Sequence, residues 1–394
     1  MSPGKLDILY DVIVIGAGPA GCIAAYHLAK AGLNVLILEK FKLPRVKPCA
    51  GGLTFKARQA IPFDVSTVVD FEATGGILTY HGKQTLKVEL DKPLASLVNR
   101  DEFDHFLLKQ ALKAGVKVLE NTRILSLTQD NEKVTVETAQ AAYQARFLIG
   151  ADGVYSQTAK MLGLLPDREM GYAVEAEFQV PQPVLESMTG YVTIDFGAIR
   201  NGYGWIFPKK DHLSVGLFHS FSDGSSALRH DLFAFIRTQS ALRSYKVLSM
   251  RGHHEPMGGK LADLHKGRCL LVGDAANLAD AWMGEGLYYA IRSGQMAAES
   301  IIKANRSSTS DLSEYSAKVN AGIVSQLYHA RRIARVLYRM PGLANYLITR
   351  NQELINLTFG VIRGDVSFET CHLDIKNHWF RILTTAIFSQ NRKI

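Results

Sequence analysis

The sequence predicts an α/β fold with a dinucleotide-binding unit of the Rossmann type, a second set of antiparallel strands and a helical C-terminal region. Three observations carry this expectation. A β-branched run, Val12 to Ile15, leads into glycines at 16, 18 and 21, then into an alanine-rich helix and a second apolar strand. Two later strands end in aspartate-bearing turns, at Asp152 and at Asp274. Other segments alternate apolar and polar residues with period two, and from about residue 306 the pattern becomes helical.

Composition sets the outer bounds. A chain of 394 residues, 47% hydrophobic and 21% charged, can bury a large core and is not disordered. Lys plus Arg exceed Asp plus Glu by 45 to 37, a formal charge of +8. That surplus suits anionic ligands or an anionic membrane surface, and no nucleic-acid partner is expected. Cys22, Cys49, Cys269 and Cys371 are scattered without metal-ligand spacing, so they read as reduced thiols with no metal centre. A short polar lead precedes the first strand, and no apolar run is long enough to span a bilayer. A cytoplasmic location is the expectation.

The first motif reads strand, tight turn, helix, strand. Gly16 permits the turn, Gly18 lets the backbone approach a pyrophosphate, and Gly21 lets helix and strand pack closely. With Pro19 and Ala20 they form a phosphate loop at a helix N-terminus. The second strand ends at Glu39 and Lys40, where a carboxylate accepts from a ribose 2′-hydroxyl. This much implies a dinucleotide and leaves FAD and NAD open. Downstream, "GADG" places Asp152 and Gly153 just past a strand end. "VGDAA" does the same with Gly273 and Asp274. Asp274 is placed to accept from a ribityl hydroxyl. Gly284, Glu285 and Gly286 open a helix whose positive end suits a flavin's electron-rich edge.

In "GYGWIFPK", Tyr203, Trp205 and Phe207 stand two apart and share one face of a strand, while Gly202 and Gly204 leave the other face thin. Such a strand is either a core element or a wall for a large apolar ligand. Pro208 ends it.

Taken together, these motifs resemble the FAD-dependent, aromatic-hydroxylase-like flavoproteins, and within them the geranylgeranyl reductase family. "LVNRDEFDHFLLKQA" is similar to that fold's third motif, which implies that Arg100 lies against FAD. "PRVKPCAGGL", "GYGWIFPK" and "RVLYRMPGLANYLITRN…VIRGDVSF" resemble three segments of the reductases. The resemblance implies hydride transfer from reduced FAD to the double bonds of a prenylated molecule or lipid. It also places Tyr203, Trp205 and Phe207 on the substrate and Cys49 beside the flavin as the catalytic candidate. No second dinucleotide motif is present, so no separate nicotinamide domain is expected; NADPH docking at the flavin, a reduced ferredoxin or a quinol would supply the electrons. The alternative from the same fold is a monooxygenase or halogenase of an aromatic.

Family topology and pattern together suggest an interleaved chain. Residues 1–65, 98–165 and 262–305 would form the FAD unit, 66–97 and 166–261 a substrate-binding β-sheet domain, and 306–394 the helical tail. In the tail Arg331, Arg335 and Arg339 are expected as one basic stripe, suited to peripheral contact with anionic lipid or to a solvated face. His253 and His254 are expected at the surface.

Overall fold

The computed structural model describes residues 9–165, 167–221, 228–239 and 242–388; the polar N-terminal lead lies outside them. The strand Leu9–Ile15 is the centre of an eight-stranded sheet. It pairs in parallel with Val35–Leu38 on one side and Ala142–Gly150 on the other. Lys117–Leu119 and Cys269–Leu271 extend the parallel set, and the hairpin of Ile124–Gln129 and Val134–Thr138 joins by antiparallel pairing. Val12, Ile13 and Val14 are fully buried, as expected for a strand covered on both faces. The helices Pro19–Lys30, Arg100–Lys113 and Leu287–Arg306 pack together beside it.

Register brings the functional loops together. Ile15 pairs with both Leu38 and Gly150, and Gly150 pairs with Leu271. Four parallel strands therefore end level, and residues 16–18, 39–40, 151–153 and 272–274 leave from one edge. Ligands of open α/β sheets bind at that edge.

The second large sheet has seven strands. Their order is Lys246–Pro256, Met170–Gln179, Leu213–His219, Gly202–Pro208, Tyr191–Asp195, Gly75–Tyr80 and Lys83–Glu89. Pairing is antiparallel except between Tyr191–Asp195 and Gly75–Tyr80. One face packs on the helix Leu228–Thr238, where Phe235 presses against the bare backbone of Gly204. The opposite face looks toward the ends of the parallel strands. The outer parts of the 66–97 segment do not join this sheet. Ala95–Leu97 pairs instead with Phe71–Ala73 on one side and Gly52–Thr54 on the other in a small third sheet. Strands of three residues are too short for alternation to assign them.

Helices at Ser325–Arg339, Pro341–Ile348, Gln352–Arg363 and Phe368–Phe388 close the apolar end of the seven-stranded sheet. The expected basic stripe is corrected here. Arg331 is only 4% exposed and is ion-paired with Glu169, because its position falls on the buried side of its helix beside Ala330 and Ala334. Arg332, Arg335 and Arg339 are the exposed cations of this helix. Among the described residues no helix is long and apolar enough to cross a membrane.

Candidate active site

The helix Pro19–Lys30 begins at Gly18, which caps it without a side chain, and its first turn contains no acid. Its leading N–H groups are therefore open to an anion. Gly16 has φ +105°, and a Cβ there would stand 2.5 Å from the Ala151 oxygen, so the turn demands glycine. Gly18 differs, since a Cβ would meet only Arg45 Nη2 at 3.9 Å, and the space beside it is cavity. Arg45 Nη2 is 3.1 Å from Asp104, while its Nη1 is buried with no partner. Asp104, fully buried, also takes Arg100 through Nε at 2.9 Å and Nη2 at 3.0 Å. One carboxylate thus holds two guanidiniums, and one of them has a donor to spare.

Around this end lie the other expected residues. Glu39 accepts from the N–H of Ala17 at 2.7 Å and of Phe41 at 3.0 Å, which ties the phosphate loop to the end of the second strand. Lys40, Pro19 and Ala20 line the cavity. Gly21 and Gly273 do not; they serve close packing, Gly273 against Ala20. Asp152 borders the cavity beside Gly153, but its carboxylate accepts from Thr158 N at 2.9 Å and from the Ser156 hydroxyl, holding the helix Gln157–Leu162. Asp274 is ion-paired with Lys47 at 3.2 Å. Gly286 caps the helix Leu287–Arg306, again without a side chain and with no acid in the first turn. Glu285 is held by Thr54 at 2.6 Å and Lys56 at 2.9 Å. Cys49 is half-buried at the cavity wall with the Arg100 guanidinium near it, and its sulfur accepts from the Gly51 N–H at 3.4 Å.

The cavity, about 670 Å³, runs from these loops along the inner face of the seven-stranded sheet. Pairing defines a row across six strands: Arg251, Glu175, Gly216, Trp205, Ile194 and Leu78. Paired residues share a face, so the row passes from charged to aromatic to aliphatic. A second row runs His253, Ala173, Phe218 and Tyr203. Trp205 lies across Gly216, where a Cβ would be 2.2 Å from the indole, and so reaches toward Glu175. The Tyr203 hydroxyl donates to Met283 O at 2.6 Å, and Trp205 Nε1 to Ser214 Oγ at 3.3 Å. Both side chains are anchored as well as buried. Phe207 continues the aromatic wall next to Trp205.

The charged edge contains what sequence reading missed. His253 is not a surface histidine. It lines the cavity with Nε2 buried and unpartnered, and burial together with the nearby Lys47 charge lowers its pKa to about 3. His254, on the other face of the strand, is half-buried and contacts Tyr155. Glu255 faces the cavity, and burial with the Asp274 charge raises its pKa to about 8. Burial likewise pushes Asp280 up to about 6, although the Trp282 and Met283 N–H groups donate to it. Arg251, His253 and Glu255 alternate in "RGHHE"; that period was visible, but not which face met the cavity.

Two uncapped helix N-termini, a buried guanidinium N–H without a partner and a long cavity joining them are the features an extended dinucleotide diphosphate needs, and the residues fit FAD. A family profile, the FAD binding domain, matches residues 9–323. The digeranylgeranylglycerophospholipid reductase of Methanocaldococcus jannaschii is 31% identical over 79% of this chain and 82% of its own length. The chain belongs to the geranylgeranyl reductase family of FAD-dependent oxidoreductases. An uncharacterized protein of Methanosarcina barkeri shares 32% identity over 97% of this chain and 98% of that one. The geranylgeranyl bacteriochlorophyll reductase-like protein of Thermoplasma acidophilum has the same fold, with TM-score 0.78 and 22% identity over 97% of this chain and 99% of that one. The reductase family's cofactor thus agrees with the site built above from residues alone.

Proposed function

We propose that this protein reduces carbon–carbon double bonds in a prenyl chain of the geranylgeranyl type. The observation that carries the reading is the junction of two unlike regions in one cavity. At one end are the phosphate loop and the Gly286 helix. At the other is a wall of Tyr203, Trp205, Phe207, Ile194 and Leu78, long and apolar enough for an isoprenoid. Relatives named for digeranylgeranylglycerophospholipid support the same substrate class.

FAD, when bound and reduced, supplies the hydride. In this reading Gly16, Gly18 and the Arg45 donor hold the pyrophosphate, Glu39 the adenosine ribose, and Asp274 the ribityl chain. Arg100 positions Cys49 at the flavin edge, where the thiol is a soft apolar contact for the alkene. The aromatic wall orients the chain and excludes water. NADPH or a reduced ferredoxin supplies the electrons. Exposed Arg332, Arg335 and Arg339 beside exposed Val336, Met340 and Leu343 suit contact with an anionic lipid surface, where a prenyl lipid would be met.

The test is mass spectrometry of prenyl diphosphates and prenylated glycerolipids incubated with the protein and dithionite. A gain of two hydrogens per double bond is expected. Incorporation of oxygen or a halogen into an aromatic would overturn the reading in favour of a monooxygenase or halogenase.

A further inference from the structure

Four titratable side chains run in succession from solvent to the cavity. Asp211 is at the surface, with 83% of its side chain exposed, in the turn between Gly202–Pro208 and Leu213–His219. Its Oδ1 is 2.7 Å from His212 Nδ1. His212 Nε2 is 2.9 Å from Glu177 Oε2. Glu177 and Glu175 stand two apart on Met170–Gln179 and share one face, so their carboxyls are neighbours on the strand. Two neighbouring carboxyls with little water around them resist ionising together, so one of them favours its protonated form. Glu175, 9% exposed, ends the chain in the cavity wall, in the row of Trp205.

We propose that Asp211, His212, Glu177 and Glu175 are a proton relay, and that Glu175 gives up the proton consumed at each double-bond reduction. The proposal rests on the prenyl-reductase reading for the fate of that proton. Each double bond gains a hydride on one carbon at the expense of reduced FAD. The π pair then forms the second C–H bond with the proton of Glu175. Glu175, left as a carboxylate, recovers a proton from Glu177. Glu177 is recharged from His212 Nε2, and His212 from solvent through Nδ1 and Asp211.

The surroundings favour this direction. Burial, followed by the hydrogen bond and charge of Glu177, raises the Glu175 pKa well above the carboxylate range. Burial acts on Glu177 too, but His212 and Glu175 bring it below its ordinary value. The proton therefore rests on the cavity-side carboxyl. Lys209, buried and bonded through Nζ to Val98 O at 2.7 Å, lies beside the pair, its pKa lowered by burial against the pull of Glu177 and Glu175; Asp70 faces Lys209 and His212, and Arg251 flanks Glu175 on the next strand. Cys49 and Glu175 line the same cavity, which brings the relay's end to the space that the candidate flavin contact also borders.

The decisive variant is Glu175→Gln, which keeps size and hydrogen bonding but has no proton to give. Product formation should fall roughly 100-fold or more, the usual worth of a positioned acid, while FAD content, melting temperature and bleaching by dithionite stay as in the wild type. His212→Ala should be impaired less and should recover when imidazole is added. Infrared spectroscopy of the FAD-free protein provides a readout independent of turnover. Glu255 also holds its proton at neutral pH, so Glu175 is read from the difference: the wild type should show a larger protonated carboxyl stretch than Glu175→Gln. Wild-type-like product formation by Glu175→Gln, failure of imidazole to rescue, or an unchanged carboxyl band would each overturn the relay. If the wild type reduces no prenyl chain, the substrate reading falls, and the carboxyl band alone decides whether Glu175 carries the proton.

Discussion

The two large sheets face one cavity but meet it in different ways. The eight-stranded sheet presents backbone: level strand ends, a turn that only Gly16 allows, and helix N-termini left open at Gly18 and Gly286. The seven-stranded sheet presents side chains, graded along one row from Arg251 and Glu175 through Trp205 to Leu78. Backbone recognition suits a ligand whose polyphosphate is constant. A side-chain face suits a ligand that is mostly hydrocarbon, because it can be apolar where the chain lies and acidic where a proton is used. The difference also predicts how each region fails.

The largest effect belongs to the backbone side. Gly18→Val should yield a folded but colourless protein that releases no FAD on denaturation, because its side chain points into open cavity and blocks only the pyrophosphate. Full flavin occupancy, read from the visible spectrum, would break the contrast drawn above.

On the side-chain side, Trp205→Ala should leave FAD in place while weakening long prenyl substrates more than short ones. The apolar area lost is worth a few kcal/mol at about 25 cal/mol per Å². Trp205 is also 4% exposed within the apolar core, so stability should drop by roughly 3–5 kcal/mol. A lowered melting temperature with an unchanged short-to-long activity ratio would reduce the residue to core filling.

Asp274→Ala tests a side chain that belongs to the backbone side. It removes an acceptor and strands Lys47, so FAD affinity in a titration of the flavin-free protein should fall by roughly 1.5–3 kcal/mol. An unchanged affinity would remove Asp274 from the site.

A further effect is on pH. Glu255 ionises near pH 8 in the folded protein and, unfolded, near 4.5. Between these values the folded state holds the extra proton, so stability falls as pH rises through that window. Lys47, Arg100, Asp274 and Asp280 are the charges that act on it. Urea denaturation at steps across this range should show the slope, and Glu255→Gln should flatten it. Equal slopes in the two proteins would put Glu255 in water instead of the cavity.

What the sequence determined by itself is local. The glycines at 16, 18 and 21, the acid at Glu39 and the strand-end aspartates act through turn geometry and helix ends, which depend on neighbours in the chain; their spacing alone therefore pointed to a dinucleotide. The period of Tyr203, Trp205 and Phe207 established that they share a face. Tertiary structure decided what that face meets. It put Glu175, His253 and Glu255 on the same surface through pairing between strands distant in sequence, and it buried Arg331 against Glu169. An alternating strand has two faces with the same period, and only packing chooses which of them is sealed from water. Charge there can be shifted, paired or handed on, because burial removes the solvent that would otherwise fix it.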